Sequence, residues 1–205
     1  MRVGIGFERS GIVREAFRAL GHDAVSIDLA AAEDGSPYHI RGDFFTVIAD
    51  MDLDLLICHP ECRYLTNSGV LRLYLGGKKR NGRDKQRWGL MELAARQFRR
   101  IWDLPIKKLC IENPVMHGHA ARIIGVRHTQ TIQPWMFGED ASKRTCLWLR
   151  GLPPLVPTDV LKKARYANQT PSGQNKLGPS PERAMNRART YPGIARAFTQ
   201  WAVPQ

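Results

Sequence analysis

The sequence predicts an α/β domain built on a mostly parallel, doubly wound sheet. Three observations predict it. Apolar runs of strand length alternate with amphipathic helical segments, several runs end abruptly in polar residues, and a glycine-rich turn follows the first run. The chain has 205 residues, of which 43% are hydrophobic, so it can bury a sizeable core. We therefore predict a single domain over residues 1–205.

The first half of the chain is predicted to contain three strands and two helices that alternate with short connections. The glycine that follows the first helical face is a helix stop, and an acidic residue ends the second strand. The predictions are a strand over 2–7, a helix capped by Ser10 and ended at Gly21, a strand over 24–28, a short helix over 44–49 and a strand ending at His59.

The second half alternates in the same way and carries two loops. Residues 76–87 are glycine-rich and basic and predict a mobile loop, and residues 151–180 are rich in Pro, Gly, Asn and Gln and predict a loop-rich insert. The remaining predictions are a helix over 88–102, a strand ending at Glu112, strands over 129–133 and 145–149, and one or two helices over 181–201 interrupted at Pro192.

The charge balance favours a polyanionic partner. The net charge is +12, and much of the excess is concentrated in residues 78–87, which favours a nucleic acid or nucleotide over a generic basic surface that aids solubility. The sequence contains no apolar run of 18 residues and no signal-peptide pattern at its start, so we expect a cytoplasmic protein that does not span a membrane. Four cysteines in such a chain are expected to be reduced, and their spacing matches no common zinc pattern, so we predict no metal.

A cysteine and a glutamate follow two separate apolar runs. Cys62 comes after residues 53–58, and Glu112 closes residues 107–111. Because ligands in open α/β sheets bind outside the carboxyl ends of the strands, we expect both side chains in one crevice. A thiolate can add to an electrophilic ring carbon, and a carboxylic acid can protonate a ring nitrogen. The competing interpretations are a small buried hydrophobe for Cys62 and a helix cap for Glu112.

The first turn and two acids favour a nucleoside-bearing cofactor. Residues 4–11 form a glycine-rich turn that permits close approach to the backbone, although the third glycine comes too late for a dinucleotide fingerprint. Asp28 is placed to accept hydrogen bonds from a ribose, and Asp43 to hold an adenine amine. Glycines and acids also occupy such turns without any ligand, and that alternative stays open.

The order of these motifs resembles the DNA (cytosine-5) methyltransferase family over most of the chain. Residues 4–11 resemble its S-adenosylmethionine turn, Pro60-Glu61-Cys62 its Pro-Cys nucleophile motif, and residues 111–115 its Glu-Asn-Val motif. Lys143-Arg144-Thr145 is similar to part of its Gln-x-Arg-x-Arg strand. Among family members, the chain is most similar to short phage and prophage proteins.

The resemblance implies a Rossmann-like fold, S-adenosylmethionine as cofactor and DNA or a pyrimidine nucleotide as substrate. It implies that Cys62 attacks carbon 6 of a pyrimidine, Glu112 holds or protonates ring nitrogen 3, and Arg144 contacts the ring carbonyl. The implied cofactor contacts are Gly4, Phe7, Glu8, Ser10, Gly11, Asp28, Asp43 and Pro60. The implied nucleic-acid contacts are Arg63, Asn67, Lys78, Lys79, Arg80, Arg83 and Arg87.

The chain departs from this family at three places, and each favours an alternative. Glu61 separates the proline from the cysteine and would raise the thiol pKa, Cys146 replaces the second arginine, and only residues 151–180 remain for target recognition. The alternatives are an enzyme for a free pyrimidine nucleotide or single strand, and a DNA-binding protein that has lost catalysis. A partner protein that supplies target recognition is a further expectation. An exocyclic-amine methyltransferase is disfavoured, because its Asp/Asn-Pro-Pro-aromatic motif is absent.

Overall fold

A seven-stranded sheet forms the centre of the molecule. The computed structural model describes residues 1–172, 176 and 189–202. In these ranges the strand order is β3-β2-β1-β4-β5-β7-β6. The strands are β1 (Arg2–Gly6), β2 (Asp23–Asp28), β3 (His39–Arg41), β4 (Leu55–Cys58), β5 (Leu109–Pro114), β6 (Gln130–Ile132) and β7 (Thr145–Arg150).

The predicted fold class, a Rossmann-like α/β domain with a mostly parallel sheet, is confirmed. Strands β1 to β5 pair in parallel, and only β7 runs antiparallel to its neighbours β5 and β6. The chain winds outward from β1 through β2 and β3, then returns to place β4 on the other side of β1. The crevice between β1 and β4 is therefore the topological switch point, where open α/β sheets bind ligands.

Helices cover both faces of the sheet. On one face, Phe17 and Phe198 pack with Ile5 and Ile57, and on the other face Phe98 and Met91 pack with Leu56. Apolar residues point to both sides because both faces of a parallel sheet are buried. The helices are α1 (Ile12–Arg18) and α5 (Pro192–Phe198) on the first face, and α2 (Phe44–Ala49), α3 (Lys85–Trp102) and α4 (Gly118–Ile124) on the second.

Two helix starts differ from the prediction. The Ser10 hydroxyl lies 3.5 Å from the Ile12 nitrogen, whereas Glu8 accepts from Val13 at 2.7 Å and from Arg14 at 3.2 Å, so Glu8 caps α1. A two-oxygen acceptor on a longer side chain satisfies two orphan helix amides at once. Helix α3 begins before residue 88 because the Asp84 carboxylate accepts from the Arg87 nitrogen at 3.0 Å.

Strand β3 was not predicted at all. It has only three residues, none of them buried, so it carries no apolar run that a sequence pattern could reveal. Pro192 also differs from expectation, since it begins α5 instead of interrupting a helix, as proline at a first helical position does. Residues 181–188, which belong to the predicted C-terminal helices, lie outside the described residues.

The two predicted loops are built differently. In the basic segment, Tyr74 pairs with Arg83, so the segment between them forms a closed loop of short 3-10 turns. The described part of the insert contains no helix or strand and lies along residues 134–142, where Trp135 stacks on Tyr166 with ring centres 6.0 Å apart. Residues 173–175 and 177–180 of the insert lie outside the described residues. Within the described ranges, no helix is both long and apolar enough to cross a membrane.

Candidate active site

The carboxyl edge of the sheet brings Cys62 and Glu112 together, although fifty residues separate them. Glu112 lies in β5, and Cys62 follows β4 by four residues. The two strands are parallel neighbours, with Cys58 paired to Ile111. The negative charge of Glu112 raises the pKa of the Cys62 thiol, so the two groups interact electrostatically.

Several hydrogen bonds fasten the segment after Cys62 to the segment after Glu112. The Asn67 nitrogen donates to the Val115 carbonyl at 2.8 Å, and the His117 nitrogen donates to the Leu65 carbonyl at 3.0 Å. The Asn113 side chain donates from Nδ2 to the Pro60 carbonyl at 3.2 Å. The segment that carries Cys62 is therefore held in a fixed position relative to β5.

Glu112 is a buried carboxylate with a histidine partner. His59 Nδ1 lies 3.1 Å from Glu112 Oε2, and the two side chains are 9% and 11% exposed. Burial on its own raises the pKa of Glu112, but the hydrogen bond from His59 and the charge of Lys143 outweigh burial and hold that pKa below its ordinary value. Glu112 is thus ionised at neutral pH.

Cys62 is a half-buried thiol in a negative environment. Burial, the charge of Glu112 and the charge of Glu61 raise its pKa in that order, against a smaller lowering by Lys143. The direction expected for Glu61 agrees with this, and the cation that lowers the Cys62 pKa is Lys143. The competing interpretation as a core residue applies instead to Cys58, Cys110 and Cys146, which are at most 1% exposed.

Lys143, and not Arg144, is the cation whose charge acts on both Cys62 and Glu112. Strand β7 runs antiparallel, so the residues before its start lie at the same edge as the ends of β4 and β5. Arg144 is exposed there, and its charge acts on Cys146. Sequence analysis gave no role to Lys143, since nothing in its local pattern sets it apart from Arg144.

Protein contacts already account for the predicted cofactor turn. Gly4 is buried inside β1, and a side chain there would meet Leu53; a side chain at Gly11 would meet Arg14 and Asp34. Glu8 is 5% exposed and caps α1, and Ser10 donates to it at 3.4 Å. Arg14 is fully buried, donates to Ser26 at 2.7 Å and pairs with Asp34. The polar groups of this turn are bonded to one another.

Phe7 is the exception in this turn. Its φ is 60°, in the left-handed region that a phenylalanine rarely adopts. The strained backbone, which costs about 1–3 kcal/mol, bends the chain over the sheet edge. The Phe7 nitrogen donates to the Ile27 carbonyl at 2.7 Å. The Phe7 ring is half-buried, with its centre 4.5 Å from that of Phe44.

Asp28 lies at the carboxyl end of β2, as predicted, and Asp43 follows β3 by two residues. Asp28 Oδ1 accepts from the Ala30 nitrogen at 2.8 Å, and Asp43 Oδ1 accepts from the Thr46 nitrogen at 2.9 Å, where it caps α2. Each carboxylate keeps a second oxygen that has no hydrogen-bond partner among the described residues. Pro60, the last predicted cofactor contact, is buried between β4 and Cys62.

The predicted nucleic-acid contacts fall into two groups. Arg83 and Arg87 are engaged with aromatic rings, since the Arg83 guanidinium lies 4.1 Å from the Trp88 ring centre and the Arg87 guanidinium 5.2 Å from that of Tyr64. Arg83 is nevertheless exposed, as are the remaining predicted contacts: Arg63, Asn67, Lys78, Lys79 and Arg80.

Four buried side-chain atoms in the described residues have no hydrogen-bond partner, and all four lie on the β4, β5 and α3 side of the molecule. They are His59 Nε2, Asn113 Oδ1, Arg87 Nε and Trp88 Nε1. Buried polar atoms are normally bonded, so each of these four is a position where a water molecule or a ligand atom would complete the bonding. Within the described ranges, no group of three or more His, Cys, Asp or Glu side chains is arranged to hold a metal ion.

Comparison with known proteins gives only distant similarity. No protein-family model and no curated protein matches the chain. Among solved structures, the chain is similar to a candidate DNA modification methyltransferase encoded within an E. coli prophage, with 14% identity and a TM-score of 0.48, over 77% of this chain and 51% of that one. It is also similar to the Entamoeba histolytica methyltransferase EhMeth, with 14% identity and a TM-score of 0.47, over 78% and 57% of the two chains. The chain thus spans little more than half the length of these structures.

Proposed function

We propose that the protein is an S-adenosylmethionine-dependent methyltransferase that acts on carbon 5 of cytosine in DNA. The observation that carries this proposal is the position of the Cys62 thiol and the Glu112 carboxylate at the carboxyl edge of β4 and β5, close enough for the charge of Glu112 to raise the thiol pKa. A nucleophile and an acid–base group within range of one ring are what addition to a pyrimidine requires. The resemblance of motif order to the DNA (cytosine-5) methyltransferases supports the same chemistry.

The proposed reaction begins when the Cys62 thiolate adds to carbon 6 of the ring. Glu112, which is ionised before the substrate binds, must take up a proton in order to protonate ring nitrogen 3 and offset the negative charge that the addition places there. Arg144 contacts the ring carbonyl. Carbon 5, now electron-rich, takes a methyl group. Loss of the carbon 5 proton to a base then restores the double bond and expels the Cys62 thiolate.

The structure offers a cofactor fit on the nucleoside side. Asp28 and Asp43 each keep one unbonded oxygen, as ribose hydroxyls and an adenine amine require, and the ring of Phe7 lies close by at the end of β1. S-adenosylmethionine bound there would supply an electrophilic methyl group. The predicted contacts at Gly4, Glu8, Ser10 and Gly11 are weaker candidates, because these residues are already in contact with the protein itself.

The exposed cations Arg63, Lys78, Lys79 and Arg80 support a nucleic-acid substrate. They lie in the segment that connects Cys62 to α3, and lysine and arginine side chains neutralise the phosphates of a nucleic acid. On duplex DNA the target cytosine must be flipped out of the helix.

The raised pKa of Cys62 favours a second candidate, a DNA-binding protein that has lost catalysis. A thiol that stays protonated is a poor nucleophile. A third candidate, an enzyme for a free pyrimidine nucleotide or a single strand, is favoured by the short insert, which leaves little surface for reading a duplex sequence. A partner protein that supplies target recognition would remove that difficulty.

The deciding experiment is calorimetric titration of the protein with S-adenosylmethionine and with its demethylated product. We expect micromolar binding that Asp28→Ala abolishes and that Asp23→Ala, at the opposite end of the same strand, preserves. Transfer of a labelled methyl group to duplex DNA, single-stranded DNA and cytidine monophosphate then identifies the substrate. Binding of DNA without binding of either cofactor form would overturn the proposal in favour of the second candidate.

A further inference from the structure

The end of β4 holds a histidine whose ring is fixed on several sides. His59 Nδ1 is 3.1 Å from Glu112 Oε2, and the ring centre is 6.4 Å from that of Phe198 in α5. The His59 backbone nitrogen donates to the Gly6 carbonyl of β1 at 3.0 Å. The side chain is 9% exposed, so water does not compete effectively for the contact with Glu112.

The polarity of this hydrogen bond follows from the charge of Glu112. An ionised carboxylate can only accept, so Nδ1 is the nitrogen that carries the proton. His59 Nε2 has no hydrogen-bond partner among the described residues. Glu112 Oε2 is occupied, and its second oxygen, Oε1, has no hydrogen-bond partner in the described part of the chain.

We propose that His59 is a positioning residue, which fixes the Glu112 carboxylate through Oε2 so that Oε1 is the oxygen presented to the pyrimidine ring. The inference rests on the proposed function and deepens it by adding a residue that none of the motifs contains. A carboxylate held by one fixed donor loses the rotation that would misalign it with the ring, and misplacement of a reacting group by about 1 Å can cost about 10²-fold in rate.

The electrostatic surroundings of the pair are simple. Glu112 faces His59 from β5, and the charge of Lys143, which precedes β7, also acts on Glu112. From β1 and α5 the neighbours named above are the uncharged Gly6 and Phe198. The hydrogen bond to Oε2 therefore orients a carboxylate that carries charge at neutral pH.

Three substitutions of His59 distinguish loss of the correctly placed hydrogen-bond donor from loss of side-chain volume. Asparagine places an amide nitrogen near the position of Nδ1, glutamine places one near Nε2, and leucine removes both donors. We expect His59→Asn to keep kcat within about threefold, whereas His59→Gln and His59→Leu lower kcat by about 10- to 100-fold with little change in the KM for the methyl donor. Equal activity of the asparagine and glutamine variants would overturn the inference.

An independent measurement needs no turnover. Nitrogen-15 NMR of histidine-labelled protein reports which ring nitrogen is protonated, and the signal that disappears in His59→Asn belongs to His59. We expect a proton on Nδ1, and a marked shift of that signal in Glu112→Gln. A proton on Nε2 instead, or no response to Glu112→Gln, would overturn the inference.

The two proposals fail in distinguishable ways. If Cys62→Ser retains activity, the proposed reaction is wrong while the NMR result still decides the state of His59. If activity depends on Cys62 but His59→Gln matches His59→Asn, the reaction stands and the positioning role is wrong.

Discussion

The two halves of the sheet edge use their polar side chains in opposite ways. Around the β1–α1 turn, Glu8 caps a helix, and Arg14 bonds Ser26 and Asp34. Around β4 and β5, His59 Nε2 and Asn113 Oδ1 are buried without a partner in the described residues. Satisfied groups indicate structure, whereas buried unsatisfied groups indicate that something else completes them.

The predicted residues differ in how far their protein contacts explain their presence. Glycines and acids in the first turn matched a cofactor motif, yet their contacts are those of a well-packed turn. Cys62 and Glu112 matched a motif equally imperfectly, and they lie among groups that lack partners. The nucleophile side, by which we mean the edge around Cys62 and Glu112, is therefore the stronger candidate for a functional site. On the proposed cofactor side, around the β1–α1 turn, the candidate contacts are Asp28 and Asp43.

The largest expected effect tests the nucleophile side directly. Cys62→Ser should lower methyl transfer by about 10³-fold or more, because the covalent step is lost, while calorimetric affinity for the cofactor stays unchanged. The measurement is incorporation of a labelled methyl group into DNA at saturating cofactor. A serine variant with wild-type turnover would exclude covalent catalysis through this residue.

The second prediction tests whether the basic segment, residues 76–87, contacts the nucleic acid. Replacing Lys78, Lys79 and Arg80 together by alanine should reduce the slope of log affinity against log salt by about three, since three phosphate contacts are lost. The control is Lys107→Ala with Lys108→Ala, two exposed lysines before the start of β5, at the opposite edge of the sheet. Identical salt slopes for both variants would place the nucleic acid elsewhere.

A smaller effect tests whether Glu8 is structural. Glu8→Ala should lower the free energy of unfolding by about 1–2 kcal/mol, because two helix amides lose their acceptor. Glu92→Ala, in α3, where the half-exposed side chain pairs with the exposed Arg96, should change it by less than about 0.5 kcal/mol. Urea denaturation measures both. Unchanged stability of Glu8→Ala together with lost cofactor binding would restore Glu8 as a cofactor contact.

The smallest effect concerns pH. Because Glu61 helps to raise the pKa of Cys62, Glu61→Gln should lower that pKa, although burial and Glu112 continue to raise it. The thiolate fraction grows as pH rises, so the wild-type rate should increase from neutral to alkaline pH and the variant should reach the same rate at a lower pH. Thiolate absorbance at 240 nm, corrected with Cys62→Ser, measures the shift, and an unchanged curve would contradict the role of Glu61.

The sequence predicted most of the fold, because long apolar runs report buried strands regardless of tertiary context. It missed β3, which has three residues and no buried face, and it misassigned the cap of α1, because Glu8 reaches past Ser10 to the same amides. The sequence also predicted that Cys62 and Glu112 lie in one crevice, because each follows an apolar run, and the structure places both at the carboxyl edge of β4 and β5; their catalytic roles stay predictions.

His59 and Lys143 were given no catalytic role because their significance comes from the tertiary structure. His59 matters because β5 lies beside β4, and Lys143 because β7 runs antiparallel and brings its first end to the site. Neither fact follows from the residues near them in the chain. The order and direction of the strands place His59 and Lys143 near the buried Glu112.

The burial of three of the four cysteines has a practical consequence. Cys58, Cys110 and Cys146 are at most 1% exposed, whereas Cys62 is half-buried beside the ligand-facing groups. A maleimide dye added to the folded wild-type chain therefore has one preferred attachment point, without any engineered residue. A dye attached to Cys62 would thus report, through a change in its fluorescence, on binding of a nucleic acid or nucleotide at the proposed site.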